Sequence, residues 1–132
     1  MKKYIAIAII LLAFFGVAKA KGSIFAEELT ATNCHACPAV AETLYAIYSS
    51  HDYPFYYVAM VTDKNDLAAE RALDYNIYGY PTTFFDGGYE VIFGKKDREN
   101  FENAIQNCLQ RERANIKLSI NIKWLGENRL EI

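Results

Sequence analysis

The chain has 132 residues, with 14 Lys and Arg against 16 Asp and Glu, and 52% of its residues are apolar. That length suits one domain, or one domain and a fragment of another. A net charge of −2 with no basic stripe is a poor electrostatic match for nucleic acid or anionic lipid, and three cysteines are too few for a disulfide-dense miniprotein.

Residues 1–20, MKKYIAIAIILLAFFGVAKA, place Lys2 and Lys3 before an apolar run from Ile5 to Ala18 and end in Ala18-Lys19-Ala20. A basic start, a short apolar stretch and a small-residue site predict a secretory signal peptide cut after Ala20. The run is shorter than the roughly 18–20 residues of a spanning helix, so an uncleaved membrane anchor is the lesser alternative. Cleavage removes Lys2, Lys3 and Lys19 and no acid, leaving 11 basic against 16 acidic residues, a charge of −5. An exported, extracytoplasmic or periplasmic chain is expected, in a compartment where disulfides form and persist.

Ser23 to Ala31, with Ile24, Phe25 and Leu29, predicts a strand that runs directly into Cys34-His35-Ala36-Cys37. From Pro38 the apolar residues Val40, Leu44 and Ile47 keep the one-face spacing of an amphipathic helix, which His51-Asp52-Tyr53-Pro54 ends. Proline has no N–H and suits the first helical turn, so Cys34 is expected at or just before the helix start and Cys37 one turn further in. Pro54–Val61, PFYYVAMV, reads as a central buried strand because it is continuously apolar. Asp66 to Asp74 predicts a short helix. Thr82–Phe85 and Tyr89–Phe93 predict two strands joined through Asp86-Gly87-Gly88, a strong hairpin signal. Asp97 to Arg113 predicts a last helix, with Phe101, Ile105, Cys108 and Leu109 on one face.

The predicted order is therefore β-α-β-α-β-β-α over residues 21–113, an α/β domain with a central mixed sheet flanked by helices. Residues 114–132 alternate Ile116, Leu118, Ile120, Ile122 and Trp124 against polar neighbours and turn at Gly126-Glu127-Asn128. They predict a C-terminal β-hairpin that opens a truncated second β domain, folds back on the sheet, or pairs with another copy. A hairpin alone is marginal.

Cys34 and Cys37 carry the chemistry. The thiolate is the nucleophile of disulfide exchange, and the positive end of a helix stabilises it. Cys34 is placed to be the exposed nucleophile, Cys37 the buried partner that resolves the mixed disulfide. His35 could add positive charge beside Cys34 when protonated. Cys108, at core spacing, reads as a packed free thiol.

The Cys34–Cys37 motif between strand and helix, together with Gly79-Tyr80-Pro81-Thr82 directly before a hairpin strand, resembles the thioredoxin superfamily over roughly residues 23–113. The chain lacks the extra N-terminal strand and helix of full thioredoxin, so it resembles a minimal version. The resemblance implies that Pro81 is cis and packed against the cysteines. It implies too that Glu28, six residues before Cys34, relays a proton to Cys37. It implies that the backbone of Tyr80 pairs with a substrate peptide; exposed side chains at Tyr78 and Tyr80 would suit a mildly apolar substrate, and Tyr78 is the one expected to pack on the sheet instead. Asn33 stands where the family usually has Trp, and His35 follows the first cysteine rather than preceding the second. These departures leave the redox direction open.

The expected function is thiol–disulfide exchange on protein or peptide disulfides, with a second protein as recycling partner and no organic cofactor. Two alternatives stay open. One is a metal-handling protein that holds copper or zinc through the same cysteines. The other is a non-catalytic binding module whose disulfide is structural.

Overall fold

The computed structural model describes residues 22–112, 114, 119–127 and 129–131. The expected leader, and Ile116 and Leu118 of the tail, lie outside these residues.

Four strands, β1 (Ile24–Thr30), β2 (Phe55–Val61), β3 (Thr82–Phe85) and β4 (Glu90–Phe93), form one sheet in the order β2-β1-β3-β4. β1 runs parallel to β2 and antiparallel to β3, and β3 pairs antiparallel with β4. Helices α1 (Cys37–Ser50) and α3 (Arg98–Gln110) cover one face, and α2 (Asp66–Asp74) covers the other.

The layering follows from alternation along β1. Ile24 and Ala26 point to the α1/α3 side and join Val40, Leu44, Ile47, Phe85, Phe101 and Ile105 in the main core. Leu29 points the other way, onto Ala72 and Phe84. Each large apolar side chain buried in this way contributes roughly 1.5–3 kcal/mol. Cys108 is fully buried in the main core. In α2, Ala68 and Ala72 face inward while Leu67 is exposed, so small residues let this short helix lie close to the sheet.

The α2 start has a side-chain cap, Asn65 accepting from the Ala68 N–H at 3.0 Å. α3 starts after Asp97, and both it and β4 are shorter than the periodicity implies. In the hairpin, Asp86, Gly87 and Gly88 all take positive φ, which is why two glycines stand there.

Three expectations are corrected. Among the described strands β2 lies at an edge, not at the centre: β1 pairs on both sides, and Tyr56 and Val58 of β2 are exposed. α1 begins at Cys37, so Cys37 is its first residue rather than one turn inside, with Pro38 next, where a missing N–H costs nothing. The tail forms a separate antiparallel pair, β5 (Lys123–Gly126) and β6 (Arg129–Glu131). Residues 119–122, expected in its first strand, are not in a strand.

No helix among the described residues is long and apolar enough to cross a membrane.

Candidate functional site

β1 delivers the chain to the site and α1 leads away from it. After Thr30 the backbone turns at Thr32-Asn33, with the Cys34 N–H donating to the Ala31 carbonyl at 3.1 Å. Cys34 and Cys37 are joined in a disulfide with their Cα atoms 5.5 Å apart. Cys34 is half-buried and Cys37 is buried. Only the outer sulfur is therefore open to attack from solvent.

The helix that starts at Cys37 has no side-chain cap and no acidic residue in its first turn. Its unpaired N–H groups and positive end are not neutralised locally, an environment that favours a thiolate. His35 sits between the cysteines with its side chain exposed. Among the described residues, no cluster of three or more His, Cys, Asp or Glu is grouped to hold a metal ion.

Beneath α1, on the same face of the sheet, lies Glu28. It is fully buried, and neither carboxyl oxygen has a hydrogen-bond partner. Burial without a partner disfavours the charged form and raises its pKa from 4.5 to about 7. Glu27, one residue earlier, faces the α2 side and behaves in the opposite way. Arg71 Nε donates to it at 2.8 Å, and the Tyr75 hydroxyl donates to its other oxygen. The Arg71 hydrogen bond pulls the Glu27 pKa below the usual carboxylate value, and the Tyr75 phenol is pushed up to about 12, burial being its largest cause. Two adjacent acids on opposite faces thus have opposite tendencies. One is a satisfied ion pair, the other a neutral-to-ionised carboxyl poised near pH 7.

The Tyr80–Pro81 peptide bond is cis, Pro81 is buried, and Thr82 follows as the first residue of β3. Tyr80 is 39% exposed, and its hydroxyl shares a 2.7 Å hydrogen bond with Thr62. Tyr78 is 95% exposed, which overturns the expectation that it packs on the sheet. Ile77, one residue earlier, takes the inward position instead.

Part of the site was not visible in the sequence. The Thr32 N–H donates to Asp63 Oδ1 at 2.9 Å and the Thr32 hydroxyl to Oδ2, tying the loop before Cys34 to the turn after β2. These bonds hold the Asp63 carboxyl below its ordinary pKa. A groove of about 490 Å³ opens between the loop that leads into Cys34 and α2, with Asn33, Thr62, Asp63, Leu73, Ile77 and Tyr80 among its walls. The partners are separated by more than thirty positions in sequence, and no local pattern announces such a contact.

No protein-family model matches the sequence. No curated protein matches it either. Solved structures do. The fold is similar to a point mutant of thioredoxin from Halobacterium salinarum, at TM-score 0.57 and 16% identity, covering 70% of this chain and 80% of that one. It is also similar to a structure described as a malarial protein, at TM-score 0.53 and 15% identity, covering 67% and 99%. The chain carries a thioredoxin-like fold with its cysteine pair at the C-x-x-C spacing.

Proposed function

We propose that the chain is a thiol–disulfide oxidoreductase acting on protein or peptide disulfides outside the cytoplasm through Cys34 and Cys37. The observation that carries this reading is the asymmetry of the pair. A half-exposed Cys34 is linked to a buried Cys37 at a helix start, and the strand that leads into the pair buries a carboxyl with no partner.

In the reducing direction, the Cys34 thiolate attacks a substrate disulfide. One substrate sulfur leaves as a thiolate and a mixed disulfide forms. Glu28, ionised in part near neutrality, accepts the proton of the Cys37 thiol. The Cys37 thiolate then attacks Cys34 Sγ, the second substrate sulfur leaves, and the Cys34–Cys37 disulfide closes. Two electrons have passed to the substrate. In the oxidising direction each step reverses and Glu28 returns the proton to Cys37. A second protein resets the pair in either case.

His35 adds positive charge near Cys34 when protonated. Tyr80, before the cis-proline and open to solvent, gives a substrate backbone its landing edge. The leader-like residues 1–20 support export.

The test is a redox titration of the chain carrying Cys108→Ala, equilibrated across a thiol/disulfide buffer series, with alkylated thiols counted by mass. A reversible two-thiol transition is expected, and its midpoint distinguishes reductant from oxidant. A disulfide that resists every buffer, or thiols that never pair, would end this reading.

A further inference from the structure

The sheet has two edges of different character. β4 is four residues long, carries Glu90 and is followed by Gly94-Lys95-Lys96, features that blunt an edge. β2 is seven residues long, FYYVAMV, with no charge, Pro or Gly, and no described strand pairs with its outer side. An apolar edge of that length is a template for another strand.

Which backbone groups it offers can be read from the bonds at its two ends. The Ile24 N–H donates to the Pro54 carbonyl, and the Thr62 N–H donates to the Thr30 carbonyl. Even-numbered positions of β2 therefore face β1, and residues 55, 57, 59 and 61 turn their N–H and C=O outward. Two of these outward groups are already engaged. The Phe55 N–H donates to the Tyr53 carbonyl at 2.8 Å, and the Val61 carbonyl accepts from Lys64 and Asn65, each at 3.1 Å. What remains is the Phe55 carbonyl, both groups of Tyr57, both of Ala59, and the Val61 N–H.

That set is self-complementary. We propose that β2 pairs antiparallel with β2 of a second copy of this chain about a two-fold axis at Val58, joining the two sheets into one. In this register Tyr57 exchanges a pair of hydrogen bonds with Ala59 of the other copy, and the Val61 N–H reaches its Phe55 carbonyl. The two engaged groups, the Phe55 N–H and the Val61 carbonyl, fall opposite each other, so neither leaves a live group unpaired. Sliding the register by two residues either way sets an engaged group against a free one.

Side chains agree with this register. Val58, 41% exposed, meets its own copy, and Tyr56, 54% exposed, meets Met60. On the other face Tyr57 lies beside Tyr48, with ring centroids 6.2 Å apart, and with Tyr45 also exposed on α1 the edge carries an aromatic apron. Because β1 is parallel to β2, the two cysteine pairs lie at opposite ends of the joined sheet, and both stay open to substrate.

Cross-linking tests the register in the full chain. With Cys34 and Cys37 changed to Ser and Cys108 to Ala, Val58→Cys puts two thiols on a non-hydrogen-bonded pair about 4.5 Å apart at Cα, within disulfide reach. Tyr56→Cys puts its thiols about 13 Å apart along the strand. Mild oxidation is expected to give a covalent dimer for Val58→Cys and none for Tyr56→Cys. In the otherwise natural chain, Ala59→Pro removes an outward N–H that β1 does not use. It is expected to convert a sedimenting dimer to monomer with an unchanged circular dichroism spectrum. Equal cross-linking at both positions, or a natural chain that sediments as a monomer, overturns the proposal. A monomer whose Tyr57 and Ala59 amides resist hydrogen exchange overturns it too, and shows that the chain's own leader or tail covers the edge.

Discussion

Glu28→Gln is the most informative single change. Glu28 is fully buried with neither oxygen hydrogen-bonded, and its pKa rises from 4.5 to about 7. A carboxyl whose folded pKa lies above its unfolded value favours the folded chain while protonated and disfavours it once ionised. The stability it supplies is fully present below pH 4.5 and is lost as the pH rises through about 7. At about 1.4 kcal/mol per pH unit, the loss amounts to about 3 kcal/mol, half of it gone by about pH 5.8. Glutamine keeps the size and stays neutral. The disulfide-intact Glu28→Gln chain should match the natural one at pH 4 and exceed it by about 3 kcal/mol at pH 8.5, on the order of ten degrees or more in Tm for a domain of this size. Denaturant unfolding of both chains from pH 4 to 9 measures it. The same variant should exchange disulfides more slowly, with a flattened pH profile, because no carboxylate receives the Cys37 proton. A stability difference that does not change with pH would refute the reasoning, since an unpaired buried carboxyl must titrate across that range.

Three further outcomes follow from the geometry. Cys108→Ala should cost about 1 kcal/mol in denaturant unfolding, as loss of a small buried group does, and leave the two-thiol redox transition in place. Arg71→Met removes the cation that lowers the Glu27 pKa, and an acid with a lowered pKa contributes stability above its unfolded pKa that fades as pH falls. Its Tm deficit should therefore be larger at pH 7 than at pH 3, and the redox midpoint should not move. Tyr80→Ala keeps the backbone that receives the substrate and removes only a 39% exposed ring, so it should lower kcat/KM for a protein disulfide by no more than about tenfold, the scale of one good contact, and leave the midpoint unchanged. A shifted midpoint would show that Tyr80 acts on the cysteines rather than on the substrate.

How much of this was legible depends on whether a feature is local. α1 could be read because Val40, Leu44 and Ile47 repeat along one helix and all three are buried. The β3–β4 hairpin could be read because only residues that tolerate positive φ suit Asp86-Gly87-Gly88. Glu28 stood out by its place six residues before Cys34, where the resemblance implies a proton relay, but that it rather than Glu27 is buried without a partner is set by which face of β1 each occupies. Strand order is not local. PFYYVAMV is apolar enough for the centre of a sheet, but β1 can pair with both β2 and β3, and that leaves β2 outside. The Thr32–Asp63 tie and the Glu27–Arg71–Tyr75 cluster join residues that meet only after the sheet has formed.

The edge position of β2 matters for more than topology. A central strand needs apolar residues on both faces, and an edge strand does not. The continuous run that suggested burial is therefore unexplained within one copy of the described chain. Tyr56 and Val58 are exposed there, and the outward backbone of Tyr57 and Ala59 meets no described strand. Either the apolar edge is an aggregation liability left unprotected, or something covers it. The two groups withdrawn by local turns, at Phe55 and Val61, are the two that an antiparallel copy would otherwise set against each other. That coincidence favours a second copy, whose strand would give β2 a neighbour on its outer side.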